Sequence, residues 1–258
     1  MHKILLGAAA LGAAIGVAAP ASAADLPART YTKAPGPMIA AIYDWSGFYI
    51  GINGGGGSTH KCWDITNSGG AVVPATSEGC HNATGGLVGG QLGYRWQMPA
   101  WQNGAWVFGV EAQGDWADFK GSNVSQFFGP AVTNQTKMDA FGLFTGQVGY
   151  AWNNVLWYVK GGAAVTDDKF RGLNPAKLVL NQENDTRWGG TVGTGVEVSF
   201  ALNWSVAFEY DHLFMGSHSV NFNTPAGAFS RTDNIKQDVD IGSVRVNYRW
   251  GGPVIAKY

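Results

Sequence analysis

The sequence predicts an all-β fold: an eight-stranded antiparallel transmembrane up-and-down β-barrel with short periplasmic turns and four long extracellular loops. Three observations predict it. From Trp45 onward apolar and polar residues alternate with period two, in runs separated by turn residues. Tryptophan gathers beside the short connections between those runs. Short connections alternate with long ones along the whole chain.

The alternation is clearest over 106–116. Trp106, Phe108, Val110, Ala112 and Trp116 share one face; Val107, Gly109, Glu111, Gln113 and Asp115 share the other. In 86–97, Val88, Leu92, Tyr94 and Trp96 oppose Gly89, Gln91, Gly93 and Arg95. In 204–211, Trp204, Val206, Phe208 and Tyr210 oppose Ser205, Ala207, Glu209 and Asp211. The remaining strands are read at 47–54, 137–152, 155–166, 188–200 and 236–250. In the last, Val239 and Ile241 have the opposite parity to Val244, Val246, Tyr248 and Trp250. A bulge at Gly242-Ser243 is expected to reconcile them.

Parity alone leaves open which face is inside, since a soluble barrel hides its apolar face. The tryptophans decide it. Eight of the eleven (Trp45, Trp96, Trp101, Trp106, Trp152, Trp157, Trp204 and Trp250) fall at one rim, as expected of an aromatic girdle at a bilayer surface. The apolar face therefore points to lipid, and closure is obligatory because an open sheet edge cannot be hydrated in hydrocarbon. The short connections, 97–104, 153–154 and 201–203, are expected on the periplasmic side. The long ones, 55–84, 120–136, 167–187 and 215–235, are expected outside, with Gly54–Gly57 a flexible loop start.

The inward face then carries Arg95, Glu111, Lys160, Glu197, Glu209, Arg245 and Arg249. Eight strands enclose a bore that side chains can fill, so a near-balanced charge network across it is expected. Inward glycines at 89, 93, 149, 162, 189, 193 and 195 are expected to make room for the long arginines. A narrow ion path through the same residues is the alternative. Glu111→Ala is expected to cost more stability than Glu78→Ala, because it strands a buried charge.

The ends of the chain are read from composition. Residues 1–23 have a lysine, an apolar run and an Ala-Ser-Ala site, the pattern of a cleavable signal peptide. Residues 24–44, with three prolines, are expected to form a periplasmic linker. Residues 45–250 are expected to form the barrel and 251–258 a C-terminal tail. A net charge of −1 gives no electrostatic footprint for nucleic acid.

Cys62 and Cys80 lie in the first long loop of an exported chain, and a disulfide closing that loop is expected, with ~3 kcal/mol of stabilisation. A Cys2His2 metal site with His60 and His81 is the alternative; no metal or cofactor is expected. Asp211, His212, His218 and Ser219 lie near the outer end of the seventh strand, but His218 and Ser219 point opposite ways in extended chain, and no enzymatic activity is expected.

The runs WVFGVEAQGDWADFKGSN, GQVGYAWNNVLWYVKGGAAV, NWSVAFEYDHLFMGS and VRVNYRWGGPVIAKY resemble the small OmpA-like eight-stranded outer-membrane barrels of the porin superfamily. The resemblance spans about residues 1–258. It implies residence in the outer membrane of a Gram-negative cell, a structural role in envelope integrity, surface loops available to partners, and at most slight pore activity. Lipopolysaccharide, outer-membrane lipid and the barrel insertion machinery are the partners it implies. Narrow-porin activity is the alternative; lipid A modification and surface haem binding are weaker ones. Two departures stand out: Thr145 and Gln147 occupy inward positions where relatives often carry arginine, and both Trp250 and Tyr258 could serve as the terminal insertion signal.

Overall fold

The computed structural model describes residues 43–100 and 104–250. The expected signal peptide, the linker up to residue 42, Trp101 and the tail at 251–258 lie outside the described residues. Eight strands follow one another: β1 (Gly47–Ser68), β2 (Ala71–Pro99), β3 (Gly104–Val124), β4 (Thr133–Trp152), β5 (Val155–Leu173), β6 (Val179–Ala201), β7 (Trp204–Asn223) and β8 (Phe229–Arg249). Each pairs antiparallel with its successor, and β8 pairs with β1 from Tyr49↔Arg249 to Ser68↔Arg231, closing the barrel.

The strands run for 19 to 29 residues, about twice the 9–11 that a bilayer crossing needs. What the sequence suggests are long loops are mostly the upper halves of these strands. The true outer connections are Gly69-Gly70 and residues 125–132, 174–178 and 224–228. Gly69 and Gly70 both have positive φ, 61° and 93°, the conformation of a tight hairpin turn. At the other rim Asn153 takes φ 54° in the Asn153-Asn154 turn.

The expectation failed in the upper halves because the burial pattern reverses there. In the lower tier Ile52, Val88, Leu92, Phe144 and Phe208 face outward and Asn53, Gln91, Glu111 and Glu209 face inward. Above Trp116 and Trp188 the wall is built as in a water-soluble barrel: Trp63, Ile65, Phe119, Met138, Phe170, Phe222 and Ile235 are buried inside, and Lys120, Lys137 and Lys169 are on the outside. Polar-out alternation with apolar side chains inside is what water on the outer face demands.

Val239 and Ile241 belong to this upper pattern. Both are buried, and β8 alternates without a register skip through Gly242-Ser243. The expected bulge is absent; what changes is the chemistry of the interior, not the direction of the side chains. True irregularities occur elsewhere. In β2 the pairing jumps from Trp63↔Gly79 to Asp64↔Ser77, leaving Glu78 out of register. β4 shifts at Asp139 and β7 at Met215.

Gly54–Gly57 lie inside β1, not at a loop start. A Cβ on Gly55 would sit 2.0 Å from the Gly242 carbonyl oxygen, and one on Gly57 2.8 Å from the Phe119 ring. Close approach of β8 and of an interior aromatic therefore requires glycine here.

Candidate functional site: the filled bore

The interior is stacked in layers. At the periplasmic end Trp45 is buried among Ala105, Val107, Ala151, Leu156 and Tyr158. Its indole N–H donates to the Asn153 carbonyl at 3.0 Å, and its backbone N–H donates to Gln97 Oε1 at 2.7 Å. Trp45 is thus a stopper, not a member of the girdle. The other girdle positions, Trp96, Trp106, Trp152, Trp157, Trp204 and Trp250, are all exposed on the outer wall. Arg249 also leaves its expected set: it donates to the Ser46 carbonyl at 2.9 Å and lies 4.8 Å from the Tyr43 ring.

The ionic layer comes next. Arg245 of β8 pairs with Glu111 of β3 and Glu209 of β7. Lys160 of β5 reaches Glu209 at 2.7 Å, Asp211 at 3.2 Å and Glu111 at 3.6 Å. Arg95 pairs with Glu197 at 2.8 Å, and Glu197 also accepts from Ser205 and Asn247. All are buried. Arg245, Lys160, Glu111, Glu209 and Asp211 thus form one linked cluster, which the Arg95–Glu197 pair joins through Gln147 and Tyr49.

The expected near-balance does not hold. With Arg249 gone to the rim and Asp115 and Asp211 buried inside, carboxylates outnumber cations here. Parity reads both aspartates as inward, but gives no weight to two tyrosines that complete the layer. Tyr49 donates to Glu111 and Tyr158 to Glu209, each at 2.6 Å. Tyr49 stands directly across from Gly93, and Tyr158 from Gly195. A Cβ on either glycine would lie within 2.6 Å of the facing ring. The room at those inward glycines is filled by tyrosine, not arginine; a cross-strand Gly–Tyr pairing was the available signal.

An apolar layer follows, with Leu87, Phe119, Met138, Phe141, Leu143, Leu213 and Ile241 among its members. Above it lies a second set of buried charges that the sequence reading missed. Lys61 pairs with Asp168 at 2.6 Å, and Thr166 and Gln237 donate to the same carboxylate. Arg231 pairs with Glu78 at 2.8 Å and donates to Asn134 at 2.9 Å. Trp63, Phe170 and Phe222 pack around these charges, with Arg231 4.9 Å from the Phe222 ring. Burial pulls the Lys61 ammonium down to about 8, against the opposing pull of Asp168. Burial likewise holds the His81 imidazole down at about 4. Glu78 is fully buried, so its expected role as an inexpensive control position is corrected: the β2 bulge turns it inward.

Cys62 and Cys80 face each other directly across β1 and β2 and are joined by a disulfide. His60 Nε2 lies 3.4 Å from Cys62 Sγ, whereas His81 is turned toward Asn123 and Thr136. The four side chains of the alternative metal set are therefore not gathered, and both sulfurs are committed to each other. Asp211 and His212 lie on opposite faces of β7; His212 meets Asp240 at 2.7 Å, and Tyr210 donates to the same carboxylate at 2.6 Å.

A closed antiparallel barrel with a lipid-facing apolar band, an aromatic rim and an ion-filled interior is an integral outer-membrane β-barrel protein. Residues 9–250 match the model of the outer membrane protein beta-barrel domain, and the chain belongs to that family. It is 29% identical over 200 residues to the 31 kDa outer-membrane immunogenic protein of Brucella melitensis, covering 73% of this chain and 78% of the relative. It is 30% identical over 189 residues to the 22 kDa outer membrane protein of Rhizobium leguminosarum bv. viciae, covering 72% and 71%. Among solved structures it is similar to the outer membrane protein OprG of Pseudomonas aeruginosa, with a TM-score of 0.51, 12% identity, and coverage of 79% and 97%. The protein resides in the outer membrane of a Gram-negative bacterium.

Proposed function

We propose that the protein is a structural barrel that contributes to envelope integrity and carries no solute, with its outer hairpins available to partners. One observation carries this reading: the Arg245 guanidinium is shared between Glu111 on β3 and Glu209 on β7, so the ion pairs cross the bore. The apolar layer above supplies no hydrogen-bonding wall for a water column. Outer-leaflet lipid meets the apolar band, and the insertion machinery reads a C-terminal aromatic, Trp250 or Tyr258.

The test is conductance of the purified, folded protein in planar lipid bilayers. No discrete current steps are expected from the wild type, and intermittent steps are expected from Arg245→Ala. Regular steps in the wild type would replace this reading with that of a narrow porin.

A further inference from the structure

Lys120 of β3, Lys137 of β4 and Lys169 of β5 are direct register partners, forming one row across three adjacent strands on the outer wall. Neighbouring strands are ~5 Å apart, and like charges directly opposite each other are unfavourable. The row is held in place from below: Lys120 pairs with Asp118 at 2.7 Å, Lys169 with Asp139 at 2.6 Å, and Lys137 with both. Arg171, exposed and one outward position farther along β5, has no ion pair among the described residues. Together with Gln135 these four cations line a polar groove of about 170 Å³. The outward acids of these three strands, Asp118, Asp139 and Asp167, lie nearer the bilayer and do not line the groove, and Glu183 of β6 lines only the adjoining groove that shares Lys169 and Arg171.

The height of the groove names its occupant. Trp106 and Trp116 are exposed at the two ends of the lipid-facing stretch of β3, ten residues apart. At ~3.3 Å per residue and ~40° of tilt this spans about 25 Å, the height of an outer-membrane apolar band. Lys120 lies four residues past Trp116, where outer-leaflet headgroups begin. An anion here must match several cations at once, and phosphate does so with charge-assisted hydrogen bonds. We propose that this groove binds the phosphate groups of lipopolysaccharide anchored in the surrounding outer leaflet. The proposal rests on the outer-membrane assignment and is independent of whether the bore conducts.

The experiment measures binding of bisphosphorylated lipid A to the full folded protein in detergent, beside dephosphorylated lipid A and soluble glucose 1,6-bisphosphate. Binding of the bisphosphorylated form is expected to fall about tenfold in Lys120→Gln/Lys169→Gln/Arg171→Gln, and two- to threefold in Arg171→Gln alone, which breaks no ion pair. Lys236→Gln, which removes an exposed cation on β8, is expected to leave it unchanged. Heat-modifiable gel migration verifies that each variant is folded. Equal binding by wild type and the folded variants overturns the proposal. So does equal binding of the dephosphorylated lipid, which marks acyl-chain contact, or of the soluble bisphosphate, which places the ligand outside the membrane.

Discussion

Deleting the Glu111 carboxylate takes one acid from Arg245 and leaves the Tyr49 hydroxyl without its acceptor. Deleting Glu78 leaves Arg231, among aromatic rings, with Asp233 at 3.2 Å as its one remaining ion partner. Each of Glu111→Ala and Glu78→Ala is expected to cost on the order of 3–5 kcal/mol in urea titrations in lipid. Near-neutrality of either would sink its ion-pair assignment. His81 sets a pH dependence. Its folded-state value near 4 lies below the ordinary 6.5, so the unfolded chain binds the proton more tightly. The stabilisation is therefore complete above about pH 6.5 and lost progressively toward pH 4. His81→Gln is expected to flatten that slope in protease-sensitivity assays of the outer tier. Parity was enough to place Arg95, Glu111, Lys160, Glu197, Glu209 and Arg245 inside. It could not show Glu78, whose direction depends on a bulge, nor Trp45, which turns in ahead of the first strand.

At the scale of the strand, β1 shows how glycine is read in two ways. A run of four looks like a hinge, but Gly55 is the point where β8 approaches too closely for a side chain. Gly55→Ala is expected to shift the urea midpoint downward far more than Gly114→Ala, whose added methyl meets open space. Loss of the Cys62–Cys80 bridge is expected to cost about 3 kcal/mol in the chain-entropy model, seen as faster proteolysis near Gly69-Gly70 in Cys62→Ser/Cys80→Ser. The lower half of each strand was legible because its apolar residues face lipid in strict alternation. The upper halves were not, because outward apolar residues there are scattered, as at Val72, Val124, Leu180 and Phe229, and do not alternate where water takes the place of lipid.

Across the whole molecule the apolar layer separates two buried ionic clusters, one within the membrane and one above it. The upper cluster is held by buried ion pairs and aromatic packing inside a wall that water surrounds, the lower by lipid as well. Denaturation in lipid is expected in two steps, with Trp63 fluorescence changing before that of the girdle tryptophans. Coincident transitions would show that the barrel yields as a unit. Fold class and the lipid-facing side of the sheet were legible at this scale because lipid, aromatic rims and closure constrain composition directly. The height of the wall was not.

That height determines what an antibody meets. Beyond the bilayer the cell presents paired ribbons, tied to one another between β1 and β8 and between β4 and β5, so a footprint draws on adjacent strands whose residues lie far apart in the chain. Sera raised against the folded protein are expected to lose most of their titre against boiled antigen, and synthetic peptides from residues 55–84 are expected to compete poorly for them.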